Sequence, residues 1–347
     1  MFFTESKKRP FSAPSVPFES GWLFIFANVV AIVATLAFIP REAHAQDYPN
    51  KPVKFVVGSP AGGVVDIRAR QVGARLAEQL KQPILVDNKP GASNTIAADY
   101  VAKSAPDGYT ALFGGSTELV TVPALGVPIK YDAVKDFIPV AQIGQGYPVF
   151  VVNAGMGIKT LPDLITWAKA RPGQLLCATA GHGTDRHFAC ELLARNTNIS
   201  LRTVPYKGSA PMLVDIASGQ VHIAIAYLAE VDKQYIQTGK LIPIGVLAPK
   251  RNARFPDLPT MGEMGYTGLE LRSWTGVFVP AGTPNAVVTR LNAEIIKVVR
   301  EPDYVALMAE TGGEVVTPTP EQFRDFVHAE KAKWKKMSDD FGIKADQ

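Results

Sequence analysis

The chain has 347 residues, 47% hydrophobic and 20% charged, a globular composition long enough for two α/β lobes of ordinary domain size. The formal net charge is +4, with no basic block outside the extreme N-terminus, which argues against nucleic acid as a partner. The two cysteines lack histidines at matched spacing, which argues against zinc.

The N-terminus reads as an export signal. Lys7-Lys8-Arg9 is a basic start, Trp22 to Ile39 is an apolar run broken only by Asn28 and Thr35, and Ala43-His44-Ala45 fits a small-x-small cleavage site. Residues 1–45 are therefore expected to be removed near Ala45. The apolar run is also long enough for a retained anchor, although Pro40 and the Ala-x-Ala site favour cleavage. Cys177 falls on an expected strand and Cys190 on the next helix; a disulfide and two buried thiols are both compatible with that placement.

Strand and helix signals then alternate. Val53 to Val57 is a β-branched and aromatic run that ends in Gly58-Ser59-Pro60-Ala61-Gly62-Gly63, and a helix is expected from about Asp66, over 68–81. Pro83 to Asn88 reads as a strand, 93–104 as a helix and Tyr109 to Phe113 as a strand, with Gly114-Gly115-Ser116-Thr117 as the turn after it. Tyr147 to Val152 is a strand; Leu161 to Ala170 is a helix capped by Thr160. Leu175 to Ala178 runs into Thr179-Ala180-Gly181-His182-Gly183-Thr184-Asp185 and a further helix with Thr184 as its N-cap. Then follow a strand at Arg202–Pro205, a helix at Ser209–Ser218, strands at Val221–Ala226, Leu241–Leu247 and Ser273–Val279, and helices at Asn285–Arg300 and Pro320–Phe341. This alternation predicts mostly parallel sheets covered by helices.

Two strand–glycine turn–helix units recur, one early and one mid-chain. Such a turn presents backbone N–H groups at the positive end of a helix and holds a carboxylate without a cationic side chain. Neither is Gly-x-Gly-x-x-Gly nor a Walker loop, so a nucleotide is not favoured. His182 and His187 flank the second turn, where contact, base or cap are all open roles.

The order of motifs resembles the Bug family, the receptors associated with tripartite tricarboxylate transporters. The matching stretches are Tyr48-Pro49-x-Lys51-Pro52, Pro60-Ala61-Gly62-Gly63-x-x-Asp66-x-x-Ala69-Arg70, Asn88-Lys89-Pro90-Gly91-Ala92 and Pro106-Asp107-Gly108-Tyr109-Thr110. They continue with Tyr131-Asp132-x-x-Lys135-Asp136-Phe137, Val204 to Pro211, Leu258-Pro259-Thr260, Trp274-x-Gly276 and Pro280 to Pro284. The resemblance implies a type II periplasmic binding fold: two α/β lobes joined by two crossing strands, near Pro148–Asn153 and Ile244–Ala248, with a cleft between them. The expected lobes are 46–147 plus 248–347, and 148–247. It further implies a monomeric periplasmic receptor without cofactor or metal, which closes on a small carboxylate and docks on membrane transporter subunits.

On this sequence the family's ligand turns match Ser59, Ala61, Gly62, Gly63, Val65 and Asp66 in one lobe, and Thr179, Ala180, Gly181, His182, Gly183 and Thr184 in the other. Ser116, Thr117 and Tyr206 are added as wall contacts. The chain departs from the family pattern at Val65, where Ser or Thr is common, at Ala226-Tyr227, where Asp-Asn is common, and at His222, where Asp is common. These changes predict a less acidic, more apolar pocket around Ala226 and Tyr227, suited to a ligand with an aromatic or aliphatic body and one carboxylate. A sensor that presents its closed form to a signalling partner uses the same fold. An exported hydrolase is disfavoured, because Ser116 lacks a Gly-x-Ser-x-Gly elbow and no His-Glu-x-x-His is present.

Overall fold

The computed structural model describes residues 48–342; the expected signal segment lies outside the described residues. Two sheets divide the strands. The first contains β1 (Val53–Val57), β2 (Ile84–Asn88), β3 (Thr110–Gly115), β4 (Phe137–Gly146), β10 (Ser273–Pro280) and β11 (Gly313–Glu314), in the order β11-β4-β10-β3-β1-β2. The second contains β5 (Val149–Asn153), β6 (Leu175–Thr179), β7 (Leu201–Pro205), β8 (Ile223–Ala226) and β9 (Leu241–Val246), in the order β7-β6-β8-β5-β9.

Both sheets are built alike. A parallel trio (β2-β1-β3 and β7-β6-β8) is followed by an antiparallel strand that has crossed from the other sheet. The chain crosses between Gly146 and Val149 and returns after Val246. This repeated order and double crossing make a two-lobed α/β fold in which the carboxyl ends of the parallel strands meet.

Local chemistry explains the helices. α1 (Val64–Leu80) buries Ala69, Val72, Gly73 and Leu76 against β1 and β2; a Cβ on Gly73 would sit 3.2 Å from Ile84, so the helix packs closely on the sheet. α2 (Thr95–Ala102) and α3 (Leu161–Lys169) follow, the latter closed by a Thr160–Asp163 capping box. α4 (Asp185–Thr197) starts at the Thr184 N-cap, and α5 (Ser209–Ser218) ends at Gly219 in a left-handed conformation. α6 (Asn285–Val299), α7 (Pro302–Glu310) and α8 (Pro320–Phe341) complete the first lobe.

One apolar core spans both lobes. Phe188 of α4 meets Trp334 of α8 edge-on with centroids 4.9 Å apart, and both are fully buried. Trp334 Nε1 donates to Glu330 Oε2 at 3.2 Å, while Arg272 Nη2 donates to Glu330 Oε1 at 3.0 Å, so the buried carboxylate has a partner on each oxygen.

Three sequence expectations change. Gly114 and Gly115 are strand, not turn, because these glycines serve close approach: a Cβ on Gly115 would lie 1.9 Å from the Trp274 carbonyl, and one on Gly114 1.9 Å from Glu118 Oε1. Ser116 then opens a helical segment, Thr117–Thr121. β4 and α7 lie outside the anticipated elements; β4 carries Pro139 and then Gln142, Gly144, Gln145 and Gly146, which hide any alternation. The cysteine alternatives resolve to a Cys177–Cys190 disulfide with Cα atoms 6.2 Å apart, joining β6 to α4.

Candidate functional site

The first glycine turn leaves β1 at Gly58 and enters α1 at Gly63, its N-cap. Gly62 has φ of 82° and Ala61 and Gly62 are exposed. Two N–H groups of this turn are already engaged: Gly62 donates to Asp66 Oδ2 at 2.8 Å and Gly63 to the Pro60 carbonyl at 3.1 Å. The N–H groups a helix leaves unbonded are therefore those of its first turn, from Val64 through half-buried Val65 to Asp66. Asp66 is a brace. Its carboxylate also accepts from Arg70 Nε at 3.1 Å and Asn88 Nδ2 at 2.9 Å. Burial alone would raise its pKa; the bonds from Arg70, Gly62 and Asn88 outweigh burial and hold it below the ordinary value. Ser59 lies beside this brace, its carbonyl taken by Asn88 Nδ2 at 3.0 Å.

The second turn joins β6 to α4. Thr179 and Thr184 both send their hydroxyls to the Gly181 carbonyl, at 3.3 and 2.8 Å. Thr184 Oγ1 also accepts from His187 N, and His187 Nδ1 accepts from Gly183 N, each at 3.3 Å. His187 is thus a brace of the turn rather than a base facing a cleft, and the His182 ring stands edge-on to it at 5.3 Å. Gly181 and Gly183 hold φ of 137° and 73°, and a Cβ on Gly183 would lie 2.7 Å from Leu125 of the first lobe. Ala180 is half-buried within the turn.

The two turns are brought together by Gly91–Asn94, where the expected 93–104 helix instead begins at Thr95 because Ala92, Ser93 and Asn94 are left-handed. Asn94 packs on Gly58, where a Cβ would lie 2.4 Å from its own Cβ, and Ser93 Oγ donates to the His182 carbonyl at 3.2 Å. Glu118 was also missed. It is fully buried, accepts from Gly115 N at 2.6 Å and Asn94 Nδ2 at 3.2 Å, and burial pushes its pKa up to about 7. A lone acid ahead of Leu119-Val120 was the available sequence signal.

At the crossing, Ser116 Oγ lies 3.1 Å from Ser273 Oγ, and the Tyr227 hydroxyl donates to Asp185 in the first turn of α4. Ser273 also bonds the Tyr227 hydroxyl, so a polar chain runs from Ser116 in one lobe to Asp185 in the other. Burial first, and then Asp185, raise the Tyr227 pKa well above its ordinary value, which keeps the phenol protonated as a donor. The Arg186 guanidinium lies 5.0 Å over the Tyr227 ring. Ala226 is buried at the end of β8. Thr117 gives its carbonyl to Thr121 Oγ1 at 3.3 Å.

Two expected side chains face elsewhere. The Tyr206 hydroxyl donates to Asp215 Oδ2 of α5 at 2.8 Å, and burial with that carboxylate pushes its pKa up to about 12. His222 precedes β8, at the opposite end of the strand from Tyr227; its Nδ1 accepts from Leu176 N at 2.9 Å and its ring packs on Trp167. Burial lowers its pKa. It sits at the amino end of an interior strand, away from the turns at the carboxyl ends, so its identity does not alter them. Among the described residues no group of three or more metal-ligating side chains comes together, and no helix is long and apolar enough to cross a membrane.

Known proteins share the two-lobed fold. Protein BugT of Bordetella pertussis is 33% identical over 317 residues, 91% of this chain and 97% of that one. A solved R. palustris protein with adipate is 35% identical with a TM-score of 0.81, covering 86% of this chain and 99% of that one. The periplasmic binding protein BugD is 30% identical with a TM-score of 0.79, over 86% and 99% of the two chains. The model of the tripartite tricarboxylate transporter family receptor matches residues 68–343, and the chain belongs to that family.

Proposed function

We propose that this chain is a periplasmic receptor that captures a small carboxylate by lobe closure and delivers it to membrane subunits of a tripartite tricarboxylate-type transporter. The observation that carries this reading is the meeting of two helix-opening glycine turns from opposite lobes, linked through Asn94 and Ser93. Each turn offers backbone N–H groups to an anion, and closure brings both to one ligand. The lobes are assigned to 46–147 with 248–347, and to 148–247. Residues 1–45 act as the export signal, and the mature chain works as a monomer without catalytic chemistry.

The ligand-contacting set is Ser59, Ala61, Gly62, Gly63, Val65 and Asp66 with Thr179 to Thr184, and Ser116, Thr117, Ala226 and Tyr227 at the crossing. Tyr206 acts indirectly, by holding α5. With Ala226 apolar and buried and the Tyr227 hydroxyl committed to Asp185, the crossing offers the half-buried Tyr227 ring, and no acidic group in its place, to a ligand's aliphatic or aromatic body. Adipate, present in the R. palustris relative, has such an aliphatic body with a second carboxylate at its far end.

The test is a thermal-shift screen of residues 46–347 after unfolding and refolding to strip bound ligand. The panel contains aliphatic and aromatic monocarboxylates, adipate and shorter dicarboxylates, and amino acids. A ligand at a hundred times its Kd stabilises by about 2.7 kcal/mol. A shift with monocarboxylates supports the full reading. A shift with adipate alone keeps the receptor and overturns the single-carboxylate preference. No shift from any carboxylate, together with turnover of an ester or amide, would overturn both.

A further inference from the structure

Between β2 and α2 the backbone does something rare. Gly91, Ala92, Ser93 and Asn94 all hold positive φ, at 127°, 46°, 50° and 71°. Only the first is glycine; the other three carry side chains in a conformation that L-residues adopt at a cost. A run of this kind persists only where surrounding contacts hold it. Here the contacts are specific. Asn94 is wedged against Gly58 on one side, and its amide donates to Glu118 Oε2 at 3.2 Å on the other. Glu118 is in turn fixed by the Gly115 N–H at 2.6 Å, and the Tyr131 hydroxyl donates to its carbonyl at 2.6 Å. The buried carboxyl therefore ties this loop to the end of β3.

The residue before Asn94 reaches the other lobe. Ser93 Oγ donates to the His182 carbonyl at 3.2 Å, in the middle of the second turn. Gly181 lies against the same hydroxyl: a Cβ there would be 3.8 Å from Ser93 Oγ. A left-handed backbone at 92–94 is what aims Ser93 outward while Asn94 points back into its own lobe.

We propose that residues 91–94 are a strap that latches the two lobes in the closed state, with Ser93 as the latch and Asn94, through Glu118, as the positioning residue that keeps it aimed. This deepens the receptor reading by naming what holds closure, and it needs no ligand to be tested. The strained loop is pre-set in the first lobe, so closure gains the Ser93 bond without ordering a flexible segment at that moment.

The experiment measures the distance between paired spin labels, carried by non-natural residues at exposed Leu85 and Val214, on ligand-free protein. The wild type is expected to show a closed population beside any open one. Ser93→Ala and Ser93→Gly both delete the hydroxyl but act oppositely on backbone strain. Both are expected to lower the closed-to-open ratio about fivefold, the weight of one ordinary hydrogen bond. Asn94→Gly, which keeps a backbone fit for positive φ, should lower it as well although Ser93 is intact.

A wild type without a closed population, or Ser93 variants with an unchanged ratio, would overturn the latch. A loss in Ser93→Ala that Ser93→Gly restores would also overturn it, by assigning the effect to strain alone. An unchanged Asn94→Gly would overturn the positioning role. Since no carboxylate is added, each result is independent of whether the capture reading holds.

Discussion

Substituting Glu118 by Gln probes the buried carboxyl behind the first lobe's turns. The side chain is fully buried, and the groups that donate to it are the neutral Gly115 N–H and Asn94 amide. Burial raises its pKa from 4.5 to about 7, against the lowering effect of the bonds from Gly115 and Asn94. The sign follows from linkage. Between the two values the folded protein holds a proton that the unfolded chain has released, so stability falls as pH rises through that window. At pH 8 the ionised carboxyl costs the fold about 3 kcal/mol relative to the unfolded chain, of which about 2.5 kcal/mol develops between pH 5 and pH 8. For a chain of this size one kcal/mol moves the melting midpoint by roughly 1.6 °C. The assay is the midpoint of wild type minus that of Glu118→Gln, measured at both pH values so that other titrating groups cancel. This difference is expected to be about 4 °C less favourable to the wild type at pH 8 than at pH 5. A double difference near zero, or of opposite sign, would refute the assignment of a buried, proton-holding Glu118.

The Cys177–Cys190 disulfide closes a loop that contains the entire second turn, so replacing both cysteines by Ala should lower the unfolding free energy by about 3 kcal/mol in urea titrations. Reductant should do the same to wild type and nothing to the variant. Glu330→Ala leaves Trp334 Nε1 and Arg272 without their shared acceptor; a loss of about 3 kcal/mol and a red-shifted tryptophan emission are expected. Asp66→Asn should abolish ligand-induced thermal shifts by loosening the first turn. Because the folded-state pKa of Asp66 is depressed, its stabilisation is present above the ordinary carboxylate value and lost as pH falls through the folded one. The stability gap between wild type and Asp66→Asn should therefore hold at pH 5 and narrow as pH falls below the ordinary carboxylate value.

What could be read from the sequence was local. Thr160 and Thr184 announced their helices by cap chemistry that acts within three residues, and both caps are present. The glycine turns after β1 and β6 were legible for the same reason. The relations that make them one site were not. Ser93 lies 89 positions from His182 and Asn94 lies 24 from Glu118, and neither pair has a spacing rule. Gly114-Gly115 misled because glycine marks close approach as often as a turn, and here the neighbour was the Trp274 carbonyl. The cysteine pair was undecidable from spacing, since geometry across β6 and α4 sets whether two thiols can meet.

The carboxyls around the turns also bear on how the ligand charge is received. Asp66 is balanced by Arg70 and by Asn88, and the Tyr227 hydroxyl donates to Asp185. Glu118 lacks such balance and sits behind Asn94, on the side of that residue away from the first turn. An arriving carboxylate adds negative charge near a group that is already half protonated at neutral pH, which drives its pKa higher still. By reciprocity the protonated form binds the anion more tightly. Calorimetry of the best carboxylate from the thermal screen, repeated at pH 7 in buffers of different ionisation enthalpy, is expected to show net proton uptake. Affinity should rise as pH falls from 8 to 6. Glu118→Gln should bind at both pH values with neither the uptake nor the slope. Uptake that survives in Glu118→Gln would move the coupling to another group, with His182 and His187 beside the second turn the next to be substituted.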